Sequence, residues 1–185
     1  MRVREADHLY YNVQMAAVTI TKRPLNDVEI DLLMKDVRSY PDLVYVKRTR
    51  FQSFKNAYVI EEDGQFVGIC GVYVVADSWI KLGPFAFLRK HQGKGYGKLL
   101  MNQIVSDHAD KNVFITSSNV AVQRIIEAHN FQEVSGYLSL PLELQLFLIK
   151  RFHEHLHIKL ATEYFRKLFS MKRSARKYYI RKMRW

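Results

Sequence analysis

Cysteine is nearly absent from this chain: Cys70 is the only one among 185 residues. A single thiol excludes an internal disulfide and any metal site built from several cysteines. It sits in the apolar run Phe66–Val75, which reads as a buried, unreactive position, because no activating group is marked beside it. Long apolar runs are missing as well. No stretch approaches the ~18 residues of a transmembrane helix, and Met1–Glu5 leads into no apolar segment of signal-peptide length. A reducing cytoplasm is the expected location. With only four prolines and eight glycines, the sequence shows no low-complexity linker, and no internal repeat is visible.

Acidic residues are also in short supply, 18 against 29 Lys and Arg, and the imbalance is local. Residues 150–185 hold 12 of the basic residues and two acidic ones, Glu154 and Glu163. The remainder is close to neutral. The sequence therefore divides into a near-neutral domain, 1–149, and a basic extension, 150–185. The domain is long enough for one hydrophobic core, and the chain's 11 Tyr and 11 Phe will carry much of the packing.

Hydrophobic periodicity gives the elements. Ala16–Thr21 alternates as a short strand. Asn26 followed by Glu29 is a capping-box signal, and Val28, Leu32, Leu33 and Val37 then recur at helical spacing, so a helix is predicted over 27–39. Asn56–Glu61, Gln65–Val75 and Ile80–Leu88 read as three successive antiparallel strands, the first two joined by an Asp63-Gly64 hairpin turn. A helix follows the glycine-rich His91–Lys98. Val113–Thr116 is a short strand, and Ser117–Asn119 caps a further helix. Phe131–Leu140 is strand-like. Leu142–Leu148 alternates as a strand, although Pro141 could instead open a helix there. From about 150 onward the spacing of Phe152, Leu156, Leu160, Phe165, Leu168 and Phe169 is helical.

The segment Gln92-Gly93-Lys94-Gly95-Tyr96-Gly97-Lys98 lies between a strand and an amphipathic helix. The first amides of a helix have no internal partner, and the helix dipole adds partial positive charge there. Together they suit a pyrophosphate. Glycines allow positive φ and close approach, and Lys94 and Lys98 add charge. The dinucleotide fingerprint would need its third glycine one position later, and the Walker pattern is absent.

Gln92-x-x-Gly95-x-Gly97 resembles the Gln/Arg-x-x-Gly-x-Gly/Ala signature of the GNAT N-acetyltransferases, and Leu82–Leu88 is similar to their fourth strand. The resemblance covers roughly residues 16–149 and is strongest over 80–131. It implies an α/β (α+β) fold with a mixed, mostly antiparallel sheet flanked by helices, here followed by a basic helical extension. The fourth strand would carry a bulge and splay from the fifth, with acetyl-CoA in the gap. Carried over by position, the backbone of Gln92, Gly93, Lys94, Gly95, Tyr96, Gly97 and Lys98 would hold the CoA phosphates. Ala86, Phe87 and Leu88 would pair with the pantetheine arm, and an amide near Phe87 would polarise the thioester carbonyl. Asn119 would contact the cofactor, alongside a helix-capping role.

The resemblance fails at the general acid. The tyrosine that often protonates the departing thiolate is replaced by Ile126, and the usual glycine before Phe131 is Asn130. Glu61 is the candidate base and Tyr73 the candidate acid, while His91 is expected to face solvent and His129 to be a packed, satisfied histidine. No metal site is expected. His153 and His157 align on a helix but lack a third ligand. The implied activity is transfer of acetyl from acetyl-CoA to a primary amine, on a small molecule or a protein. Two rivals stay open: a GNAT-fold protein that binds CoA without turnover, and an RNA-directed acetyltransferase acting on aminoacyl-tRNA. The mix of cations and aromatics in 167–185 suits nucleic acid or an anionic membrane. Homodimerisation is a further expectation.

Overall fold

The computed structural model describes residues 17–37, 40, 47–154 and 176–183. Seven strands form one sheet: β1 Val18–Arg23, β2 Ala57–Glu62, β3 Gln65–Ala76, β4 Trp79–Phe87, β5 Asn112–Ser117, β6 Gln132–Val134 and β7 Lys177–Arg181. Their spatial order is β1-β2-β3-β4-β5-β7-β6, and the only parallel neighbours are β4 and β5. The fold is thus the expected mixed, mostly antiparallel sheet. The helices are α1 Asp27–Val37, α2 Arg48–Gln52, α3 Tyr96–Asp107, α4 Val120–Ala128 and α5 Leu142–Glu154.

Local chemistry explains the first half. Asn26 and Glu29 form the reciprocal cap: Glu29 N–H donates to Asn26 Oδ1 and Asn26 N–H to Glu29 Oε2, both at 2.9 Å. Asp63 and Gly64 both take positive φ, 49° and 73°, the pair of angles a two-residue hairpin needs to follow strand twist. Side chains alternate across the sheet. Tyr58, Ile60, Ile80, Leu82, Val113 and Ile115 share one core with α3 and α4. Val59, Ile69 and Ala86 point the other way, toward Ile30 and Leu33 of α1 and Phe51 of α2. On that second face, Trp79 and Phe114 pack with Leu144 of α5.

The second half corrects several sequence-based expectations. Leu142–Leu148 is the start of helix α5, not a strand. A period of two also contains every fourth residue, so Leu144 and Leu148 share a helical face: Leu144 is buried and Leu148 packs against the same cluster, while Leu142 and Leu146 are exposed. Pro141 decides the outcome, because its carbonyl accepts from both Leu144 and Gln145. In Phe131–Leu140 only Gln132–Val134 is strand, followed by a short 3-10 turn at Tyr137–Ser139.

The largest correction concerns the basic extension. Residues 177–181 are not helical: they form β7, inserted between β5 and β6 and hydrogen-bonded to both. Tyr179 is fully buried, with its hydroxyl 3.0 Å from Glu127 Oε1. Tyr178 stacks on Phe114, and Lys177 pairs with Glu133 at 2.6 Å. Two adjacent tyrosines and an isoleucine, with cations only at the ends, suit a strand whose flanks reach solvent. These residues belong to the sheet, and α5 crosses the expected boundary at 150. The helix expected beyond 154, the side chains of His153–His157 and most of the basic run lie outside the described residues. So do positions 38 and 39 of the first helix. Among the described residues, no helix is long and apolar enough to cross a membrane.

Candidate active site

The site begins where β4 and β5 separate. They pair only over Trp79–Lys81 against Asn112–Phe114. Beyond Lys81 the strands part, and both edges, Leu82–Phe87 and Ile115–Asn119, line a cleft of about 560 Å³. A register shift drives the divergence: Cys70 faces Phe85 while Val72 faces Leu82, so Gly83 and Pro84 stand opposite Gly71 alone. This is a bulge in β4, and bulges bend the strand that carries them. The Cys70 thiol beside it is buried, which pushes its pKa up to about 12, as suits an inert position.

The open edge of β4 has defined polarity. Leu88 N–H donates to Val67 O on β3 at 2.9 Å. In this register Ala86 and Leu88 direct their backbone toward β3, and Phe85 and Phe87 direct theirs toward the cleft. The Phe87 carbonyl is already taken, by Tyr40 Oη at 2.7 Å and Gln92 Nε2 at 3.3 Å. The Phe87 N–H shares that edge.

The glycine turn closes one end of the cleft. Gly93 and Gly95 have φ of 79° and 89°, and Gly95 is the N-cap of α3 without a side-chain cap. Gly95 O accepts from Lys98 and Leu99. The amides of Gly93 to Gly97 have no acceptor among the described residues, so α3 presents unpaired N–H groups to the cleft. A Cβ on Gly97 would lie 2.9 Å from Ile125 Cδ1, the tip of a side chain on α4 that would have to shift to admit it. Glu62 braces the turn from below: it accepts from the Tyr96 hydroxyl, lies 3.5 Å from Lys94 Nζ and 3.3 Å from His91 Nδ1. The bond from Tyr96 and the Lys94 charge hold Glu62 below the usual carboxylate range, so it stays ionised.

The other end is built from cations. Lys81 follows Ile80 and precedes Leu82, both in the α3–α4 core, so its side chain points to the face of α1, α2 and α5. It lies over Tyr73, its cross-strand partner, with Nζ 5.5 Å from the ring centroid. Arg50 of α2 and Arg151 of α5 reach the same tyrosine: Arg50 Nε donates to its hydroxyl at 2.7 Å and Arg151 Nη2 at 3.1 Å. Arg176, which precedes β7, also lines the cleft, together with Arg50 and Lys81. Burial, then the charges of Arg50 and Arg151, draw Lys81 down to about 7. Among the described residues lining the cleft, none is acidic.

The sequence-predicted residues sort against this geometry. Ala86, Phe87, Gln92, Gly93, Gly95, Tyr96, Gly97, Lys98 and Asn119 line the cleft. Leu88 and Lys94 do not: Leu88 is buried with α1 and α2, and Lys94 turns to Glu62. Asn119 caps α4, accepting from Ala121 and Val122 at 2.9 and 3.2 Å. Glu61 is placed away from the cleft, held by Arg23 at 3.0 Å. The Tyr73 hydroxyl accepts from both Arg50 and Arg151. Ile126 is fully buried. His91, expected in solvent, is buried at the cleft wall, and burial lowers its pKa. His129 is satisfied, by Ile125 O and Asn102 Oδ1. Lys81, Arg50, Arg176 and Tyr40 escaped sequence reasoning. Lys81 alone carried a signal, as a charge inside an otherwise apolar strand.

The profile of the acetyltransferase (GNAT) family matches residues 27–131, more than half of the chain, and the protein belongs to that family. The family it belongs to is one of acetyltransferases. No curated protein matches it. Among solved structures, the fold is similar to N-acetylglutamate synthase from Neisseria gonorrhoeae complexed with coenzyme A and N-acetyl-glutamate, at 16% identity and TM-score 0.65, over 92% of this chain and 36% of that one. It is similar to a GNAT-family acetyltransferase from Staphylococcus aureus, at 11% identity and TM-score 0.60, over 91% and 100%. A third is the ribosomal-protein-S18-alanine N-acetyltransferase from Escherichia coli, at 15% identity and TM-score 0.53, over 64% and 80%. The chain thus spans just over a third of the gonococcal synthase.

Proposed function

We propose that this protein acetylates a primary amine by direct attack on the acetyl-CoA thioester, with Lys81 as the proton acceptor. The observation that carries this reading is the parting of β4 from β5 at Lys81, beside the unpaired amides that open α3. Those amides, the helix dipole and Lys98 suit a diphosphate. The outward N–H of Phe85 suits an extended amide-bearing arm, which leaves that of Phe87 for the thioester. Bound acetyl-CoA supplies the thioester carbonyl that the amine attacks. As the C–N bond forms and the C–S bond breaks, the Phe87 N–H stabilises charge on the carbonyl oxygen. The Lys81 amine, neutral above about 7, takes the proton that the acceptor nitrogen must lose. Ile126 donates nothing, so the thiolate departs and takes its proton from water.

Calorimetric titration with acetyl-CoA and thiol release with a panel of amines test the proposal together. Saturable binding with amine-dependent thiol release is the expected result. Binding without release would favour the non-catalytic reading, and absence of both would remove the proposal. The nucleic-acid, membrane and aminoacyl-tRNA readings rest on the charge of residues 150–185, largely outside the described residues. In the part that is described, the aromatics Tyr178 and Tyr179 pack inward and are not offered for base stacking. A cytoplasmic location fits a chain whose only thiol needs no oxidation.

A further inference from the structure

The cleft passes through the sheet. Its α3–α4 side carries the diphosphate cradle; its α1–α2–α5 side carries Arg50, Lys81 and Arg176, with Arg151 behind them on Tyr73. The two sides ask for different ligands. A cradle of amides needs no help from cations placed across the sheet, and Lys81 points away from it.

The cationic side is unbalanced. Among the described residues, no carboxylate forms an ion pair with Arg50, Lys81 or Arg176, and none lines the cleft. Arg50 uses only Nε on Tyr73, so its two terminal nitrogens have no protein acceptor among the described residues. Held by Tyr73, this guanidinium is fixed before anything binds. Like charges gathered on a half-buried surface repel, and an entering anion relieves that repulsion while gaining charge-assisted bonds. A neutral or cationic acceptor would do neither.

We propose that the acceptor is a small amine carrying an anionic group, carboxylate or phosphate, seated on Arg50 and Arg176 with its amine directed toward Lys81. This rests on the acetyltransferase reading above and names its substrate class. Arg50 and Arg176 act as specificity residues. Lys81 lies between the anion and the thioester, facing Arg50, Arg151, Arg176, Tyr73 and Cys70.

The test uses the full chain and matched sets of primary amines: one member with a carboxylate, one with the corresponding carboxamide, and one with a phosphate. Acetyl-CoA binding is measured first by calorimetry. The expected result is a kcat/KM at least about tenfold higher for an anionic member than for its carboxamide, the size of a charged hydrogen-bonded contact. The carboxylate and phosphate arms identify which anion fits. Arg176→Gln should raise KM for the anionic acceptor about tenfold, and Arg50→Lys should fall between wild type and Arg50→Gln. KM for acetyl-CoA should stay within about twofold, and KM for the carboxamide should change less than that for the acid. If acetyl-CoA binds and the carboxamide reacts as well as the acid, the inference falls and the transferase reading stands. The inference falls in the same way if Arg176→Gln shifts acetyl-CoA rather than the acceptor. If acetyl-CoA does not bind, both fall.

Discussion

At one end of the cleft the chain offers main-chain N–H groups on a glycine turn; at the other it offers the side chains of Arg50, Lys81 and Arg176. The first end comes from one short segment, Gln92–Lys98, and depends on backbone dihedrals that glycine permits. The second is assembled from α2, β4 and the approach to β7, spread over more than a hundred residues of sequence. A site made of backbone is set by local conformation and tolerates little change of residue size. A site made of side chains is set by the packing of remote elements and can change its ligand by substitution alone. A donor shared by a family and an acceptor that varies within it fit this division.

The comparison breaks most sharply at Gly95. Gly95→Glu puts a side chain on a residue with φ of 89° and a negative charge among the unpaired amides. Loss of acetyl-CoA affinity by about 100-fold or more is expected, from strain and from charge at a site built for anions. Calorimetry measures it, with circular dichroism to confirm the fold. Affinity within a few-fold of wild type would mean the diphosphate sits elsewhere.

Lys81 tests the other end. Lys81→Met keeps the stem and removes the amine. A fall in kcat/KM of about 100-fold is expected, the lower range for a general base, with acetyl-CoA affinity unchanged. The wild-type profile supplies the sign: below about 7 Lys81 holds its proton and cannot take another, and above it the neutral amine can. So kcat/KM should rise with pH through about 7 and level off, and the variant should lack that limb. A rising limb that survives in Lys81→Met would move the role to another group, His91 first among them.

The same division explains what was legible in the sequence. The glycine turn, the capping box and the Asp-Gly hairpin are local patterns, each with its own physical cause. The bulge and splay of β4 followed from resemblance rather than periodicity, because a register shift leaves no period of its own. Lys81 could have been singled out as the one charge in Trp79–Leu82. Arg50 could not: α2 has five residues, and Lys47 makes no side-chain cap. Arg176 was hidden by a helical pattern carried too far. Tyr178, Tyr179 and Ile180 suit a strand, but their partners β5 and β6 lie some 40 to 70 residues away, a pairing no local window contains. The contact of Glu61 with Arg23 across the β1–β2 pair is likewise one that no local window contains.

Two asparagines sharpen the comparison at the smallest scale. Asn26 and Asn119 both cap helices through Oδ1, but only Asn119 lines the cleft. Asn26→Ala should lower stability by about 1 kcal/mol, read from urea unfolding, and leave both substrates' KM untouched. Asn119→Ala should cost a similar amount and also raise KM for acetyl-CoA a few-fold. Asn119→Ser separates the two effects: serine restores a cap of nearly equal strength, so stability should return. The KM change should persist, because the shorter side chain reaches less far into the cleft. If Asn119→Ser recovers both, the residue serves the helix alone, and the donor end of the cleft is made of backbone throughout.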